Sequence, residues 1–268
     1  MEGTTYMEDS RVPRPEDSEE EEEKKEEKEN SFEIDYAFDE AALPSGASRV
    51  VISATGVSEA LLRITLDLKE IGSIKVTEKE ETKEVLKVAV CQNLLILQLT
   101  SDMKSGYCNQ IMNKMWALLE AKSSLNLVVG IRSVYKTNYS TFQGSMQLDA
   151  GQTLPIKYIQ TRAAKAHPEL KAFLQKHSAQ VSPDNQINFQ GGLVASFLME
   201  AEMLGKPAVS FKAIVDEHKV TSESMQAFTG IVNDLLGLSS VNMDEIFLMP
   251  KFRPVLKELN AVTHGIFS

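Results

Sequence analysis

The chain has 268 residues, 43% hydrophobic and 25% charged, which is ordinary globular composition and excludes disorder throughout. Its formal net charge of −10 is unevenly placed: residues 1–40 hold 17 acids against 5 bases, whereas residues 41–268 hold 21 acids against 23 bases. The main body is therefore nearly neutral and carries no basic stripe, which argues against nucleic acid as a partner.

The leader, residues 1–44, contains Pro13 and Pro15, the run Glu19 to Glu23 and the mixed charges Lys24 to Glu29. So little apolar surface cannot offset the entropy of ordering it, and a disordered acidic tail is expected. From Ser48 the texture changes. Arg49 to Thr55 reads as a strand, followed by Gly56 and a buried helix capped near Ser58, with apolar residues at 61, 62, 64, 66 and 68. Ile74-Lys75-Val76 reads as a short strand and Thr77 to Lys83 as a polar turn. Leu86 to Val90 and Leu94 to Leu99 form a hairpin about Gln92-Asn93. Met103 to Lys122 has Ile111, Met112, Met115, Trp116, Leu118 and Leu119 on one broad face and is an amphipathic helix. Asn126 to Ile131 is a further buried strand, and Ser133 to Gln152 a long polar loop of the kind that is functional or mobile.

Ile156 to Gln160 suits a strand, and Pro168 to His177 a helix with proline in its first turn. Gly191-Gly192 opens a hydrophobic helix over Leu193 to Leu204, stopped by Gly205-Lys206-Pro207. Ala208 to Val215 is a strand, Ser222 to Leu236 a helix ending at Gly237, and Asp244 to Leu259 a last helix interrupted by Pro250 and Pro254. Strands alternate with helices, and those at 49, 126 and 208 are continuous apolar runs. The expected fold is a three-layer α/β/α sandwich with a mainly parallel sheet, formed by one domain over residues 45–262.

No run of about 18 uncharged apolar residues occurs, and Met1-Glu2-Gly3-Thr4 has neither a basic flank nor an apolar run, so no membrane span and no secretion are expected. Cys91 and Cys108 are too few for a disulfide scaffold and lack metal-ligand spacing, which suits a reducing compartment, cytosol or nucleus.

Catalytic signals are sparse. Ser53-Ala54-Thr55-Gly56-Val57-Ser58 ends a strand and opens a helix, where backbone N–H groups could cradle an anion, but with neither G-x-G-x-x-G nor the Gly-Lys-Ser/Thr of a P-loop it reads first as a tight turn with a serine cap. Gly191-Gly192 reads first as a helix entrance where small residues allow close packing, with a nucleotide site as the alternative. There is no G-x-S-x-G elbow and no H-E-x-x-H. His167, His177, His218 and His264 stand in polar surroundings and read as exposed loop or helix-end residues; Cys91 and Cys108 read as inert, and Asp216-Glu217 as solvated loop carboxylates. Neither a cofactor, a metal site nor a catalytic residue is expected. The chain finishes Asn260-Ala261-Val262-Thr263-His264-Gly265-Ile266-Phe267-Ser268, so residues 263–268 read as a flexible extension with two large apolar residues. These either fold back or are received by a partner.

Ile266-Phe267-Ser268 is similar to the hydrophobic-tyrosine-X tail with which proteasome activators and assembly chaperones dock between α subunits, with Phe267 in the tyrosine position. Ser48 to Ile52, Tyr135-Lys136-Thr137, Leu193 to Phe197 and Gly205 to Val209 resemble, in order and spacing, the proteasome assembly chaperone family. The resemblance implies an α/β fold related to nucleoside phosphorylases but without their activity. It also implies a heterodimer with proteasome assembly chaperone 2, transient binding to proteasome α subunits during ring assembly, and Ile266, Phe267 and Ser268 as the docking residues. The competing expectation is a phosphorylase-like enzyme or binding protein for a small anion near Ser53 to Ser58 and Gly191-Gly192.

Overall fold

The computed structural model describes residues 32–44, 49–100, 105–122, 126–135, 140–141, 144–145, 154–184, 192–215, 220–238, 243–246 and 248–266. Strands β1 (Phe32–Phe38), β2 (Arg49–Ser53), β3 (Lys69–Glu78), β4 (Glu81–Cys91), β5 (Leu94–Leu99), β6 (Leu127–Tyr135), β9 (Ile156–Gln160), β10 (Val181–Pro183) and β11 (Ala208–Val215) build one sheet in the order β1-β3-β4-β5-β2-β6-β11-β9-β10; β7 (Ser140–Thr141) and β8 (Gly144–Ser145) form a small separate hairpin. The helices are α1 (Val57–Thr65), α2 (Ser105–Lys122), α3 (Arg162–Lys165), α4 (Pro168–Lys176), α5 (Leu193–Met203), α6 (Ser222–Gly230, continued by a π-turn over Ile231–Leu235), α7 (Met243–Ile246) and α8 (Phe252–Ile266).

Helices lie on both faces of the sheet, as expected, but its strand directions are mixed. Strands β5, β2, β6 and β11 run parallel at the centre, whereas β1, β3, β4 and β5 are successively antiparallel and β9 is antiparallel to β11. The reason is connection length. Two-residue turns join β3 to β4 and β4 to β5 and allow only antiparallel neighbours, while the parallel strands are separated by helical crossovers.

The leader ends earlier than the sequence suggests, because residues 32–44 belong to the fold. Phe32, Ile34, Tyr36 and Phe38 pack against the core while Glu33 and Asp35 face outward, and all seven residues of β1 pair with β3. Phe32 stacks edge-on to Tyr107 of α2 at 4.5 Å, and Leu43 beyond the strand is buried. Gly72 makes this approach possible: at φ +143°, a side-chain carbon there would lie 2.2 Å from the Ala37 carbonyl oxygen. Residues 1–31 lie outside the described residues.

Apolar residues on the two sheet faces make separate cores. One gathers Val51, Val129, Ile131, Val209 and Phe211 with α1, α4 and α6; the other gathers Val50, Ile52, Leu95, Leu97 and Val128 with α2 and α5. Helix α5 seats closely because β6 has Gly130 beneath it, where an added side-chain carbon would come within 2.7 Å of the Phe197 ring. The end of the chain differs from expectation. Pro254 falls in the first turn of α8, where it lacks nothing the helix needs, so the helix runs unbroken to Ile266 instead of yielding to a flexible tail at residue 263. Arg63 of α1 holds α8 through a two-point contact with Glu258, at 3.0 and 2.7 Å.

Candidate functional site

At the end of β2 the turn toward α1 is closed by its own hydrogen bonds. Ser53 and Ser58 are fully buried, their hydroxyls 3.1 Å apart, and Ser58 Oγ lies 3.0 and 3.2 Å from the carbonyl oxygens of Ala54 and Ile131. Gly56 at φ +97°, not Ser58, occupies the cap position, and the Glu59 carboxylate turns back to its N–H. Burial pushes the Glu59 carboxyl pKa up, opposed by Arg63 and by that N–H. An anion placed here would meet a carboxylate and hydroxyls already in use, which removes support for the anion-cradle reading of Ser53 to Ser58. Gly192 does open α5, at φ +101°; Gly191 lies outside the described residues.

Chemistry concentrates elsewhere, on the face of the sheet beside α5. Strand register sets Arg132 of β6 next to Lys212 of β11, and Lys212 next to Lys157 of β9, giving three cations in a row across three strands. Like charges directly opposite repel, so this row needs counter-charge or solvent. Lys212, almost fully buried, receives it from Asp184 at 2.6 Å, itself buried, and Lys157 donates to Ser182 on β10 at 2.8 Å. Arg132 has no hydrogen-bond or ion-pair partner among the described residues, and its Nε is buried. Desolvation pushes the Arg132 pKa down, against the opposing pull of Asp184, while leaving the group a cation.

These cations floor a cavity of about 570 Å³ whose walls include Val194, Met199 and Ile159. Exposed apolar side chains border it, Met199 at 52%, Met203 at 75% and Ile159 at 38%, alongside the charged Arg162, Lys165 and Glu202, and Leu204 continues the apolar surface just beyond. Helix α5 therefore has two roles, burying Val194, Phe197 and Ala201 while presenting a methionine-rich stripe outward.

None of the cavity's charged residues was singled out from sequence, although Lys212 and Arg132 interrupt apolar strands and thus carry a signal. His167 and His177 do stand at helix ends, the two ends of α4, but His167 is not exposed. His167 is buried and caps α4, accepting the Leu170 N–H at Nδ1 while Nε2 meets Asn126, and His177 ends α4 against Asp234 at 2.6 Å. Side chains of His218 and His264, and the pair Asp216-Glu217, lie outside what is described. Cys91 and Cys108 are buried and reduced, and burial raises both thiol pKa values, which suits an inert role. Of the proposed docking residues, Ile266 is the last helical residue of α8, and Phe267 and Ser268 lie outside the described residues. Among the described residues no helix is long and apolar enough to cross a membrane, and no group of acidic, histidine and cysteine side chains could hold a metal ion.

The chain matches no family model and no curated protein sequence. Its architecture is nevertheless similar to solved structures over most of their length. A protein of unknown function from Thermoplasma acidophilum superposes with a TM-score of 0.58 at 8% identity, covering 85% of this chain and 89% of that one. PbaA of Pyrococcus furiosus, an archaeal homolog of proteasome-assembly chaperone, gives 0.56 at 13% identity, covering 87% and 97%. PbaB of the same organism, an archaeal proteasome activator, gives 0.55 at 11% identity, covering 88% and 99%. At these identities the likeness is one of fold.

Proposed function

We propose that this chain is a non-enzymatic chaperone for assembly of the proteasome core particle, acting in the cytoplasm or nucleus as a heterodimer with proteasome assembly chaperone 2. The observation that carries this reading is the shared architecture with PbaA and PbaB across nearly the whole of each chain. The closed turn at Ser53 and Ser58 adds support by disfavouring the competing small-anion enzyme at that place.

In this reading Ile266, Phe267 and Ser268 dock in a pocket between α subunits. Burial of Ile266 and Phe267 would contribute about 1.5–3 kcal/mol each. Association costs roughly 4–15 kcal/mol, so the tail needs a second contact. The exposed stripe of α5 that runs through Met203 and Leu204 is the surface we assign to the partner chain. Two modest contacts raise apparent affinity together and still allow release once a ring is complete.

The test is a pull-down from cell extract with an N-terminal tag, comparing the full chain with one ending at Gly265 and identifying captured proteins by mass spectrometry. The expected result is recovery of proteasome α subunits and proteasome assembly chaperone 2 by the full chain, with fewer α subunits on the shortened one. Recovery of neither by the full chain overturns the proposal.

A further inference from the structure

Three cations stand side by side in the floor of one cavity, and one of them, Arg132, has no ion-pair partner among the described residues. Lys212 is held by Asp184, and Lys157 gives a hydrogen bond to the neutral Ser182. Arg132 offers a planar fork of donors with no acceptor among the described residues and with Nε shielded from water. A half-buried guanidinium whose Nε has lost water without gaining an acceptor is incompletely satisfied, and its fork fits a carboxylate in two-point geometry. Gln160, which also lines the cavity, has a buried Oε1 without a donor, so unsatisfied groups of both kinds meet here. Above them the walls include the apolar side chains Val194, Met199 and Ile159. A volume of about 570 Å³ lies in the range of small-molecule sites, and the combination of apolar walls with a few convergent polar groups is what such sites require.

We propose that this cavity binds a monocarboxylate carried on an apolar body, with Arg132 receiving the carboxylate, Lys157 beside it, and Met199, Val194 and Ile159 covering the apolar part. The anion completes the cation row, and the methionine adapts its shape to the chain or ring that follows. Two sources present this chemistry, a free carboxylic acid and the terminal carboxylate of a peptide with an apolar last residue. The assignment goes beyond the chaperone reading and does not rest on it, since it stands on the cation row in the floor of the cavity, although Met203 borders both the cavity and the outer stripe.

Isothermal titration of the full chain with decanoate, below its micelle-forming concentration, tests the site. Decanoate is expected to bind at least about ten-fold more tightly than acetate, inorganic phosphate or decanol, because each control lacks either the apolar body or the carboxylate. Arg132→Met is expected to abolish the preference for decanoate over decanol while leaving the unliganded melting temperature unchanged or higher, since it removes a half-buried charge that has no ion-pair partner among the described residues. Arg132→Lys, which keeps the charge but lacks the fork, serves if the methionine variant does not fold, and is expected to weaken decanoate binding by about five-fold or more. Lys171→Met on the exposed side of α4, away from the cavity, is the control and leaves binding unchanged. A peptide ending in leucine, compared free and amidated, distinguishes the sources: a free-ended peptide that outcompetes decanoate assigns the site to a chain terminus, and one that does not assigns it to a free acid. Equal binding of decanol and decanoate, retained affinity in both Arg132 variants, or no binding of decanoate or of either peptide overturns the proposal.

Discussion

Asp234 shows how much a single side chain can tie together. It accepts from Lys176 Nζ at 2.8 Å and meets His177 Nε2 at 2.6 Å, so the end of α4 is fastened to the π-turn after α6. These hydrogen bonds, Lys176 first, hold the Asp234 carboxyl below the usual carboxylate range. A depressed carboxylate contributes stability that is present above its unfolded pKa, about 3.9, and lost as pH falls through the lower folded value. Asp234→Asn should therefore lower stability by about 1 kcal/mol at pH 7 and flatten the acid side of the stability curve below about pH 4. Thermal melts of both proteins between pH 2 and 7 check this; parallel curves would refute it. The residue scale is also where sequence reading falls short most often. Ser58 looked like a cap and is a buried acceptor-seeking hydroxyl; His167 looked exposed and is a buried cap. In both cases the deciding partner, Ile131 or Asn126, is distant in sequence.

Among elements, β1 and the β3–β4 hairpin are instructive. The segment Phe-Glu-Ile-Asp-Tyr-Ala-Phe alternates strictly, the pattern of a half-buried strand, yet it directly follows a long acidic run and is easily counted with it. In the hairpin, Glu78 to Lys83 is polar throughout, and the turn uses Lys79 and Glu80 at φ +49° and +69°. Such a turn usually announces itself by Asn-Gly, so its ends are hard to see here. Strand β1 caps the otherwise open edge of β3. Starting the chain at Asp39 instead of Phe32 should lower the melting temperature by several degrees and promote aggregation, because it bares the edge and the apolar surface beneath Phe32, Ile34 and Tyr36. Equal melting temperatures and equal solubility for the two proteins would contradict that account. Helix α5 was legible from end to end, since Gly192 and Gly205 mark its limits and both stand at positive φ.

For the molecule as a whole, the proposed function makes one helix serve both folding and partner recognition. Gly130 lets α5 settle on β6, and the outward stripe that results includes Met203 and Leu204, neither of which the core uses. Replacing both with glutamate should leave the melting temperature within a degree or two, as for exposed positions generally, and should reduce co-purification of the partner chain at least about ten-fold. Loss of stability without loss of the partner would move the interface elsewhere. What the sequence determined by itself is the alternation of strands and helices, the two-sided helical cover, the buried strands at 49, 126 and 208, and the helix limits set by glycine and proline. These follow from local periodicity and turn chemistry, which neighbouring residues express without help. Strand directions beyond the centre, the membership of β1 and the cation row of Arg132, Lys212 and Lys157 were decided only by tertiary structure. Those three residues come from strands separated by long stretches of chain, and only the register of the sheet brings their charges onto one face.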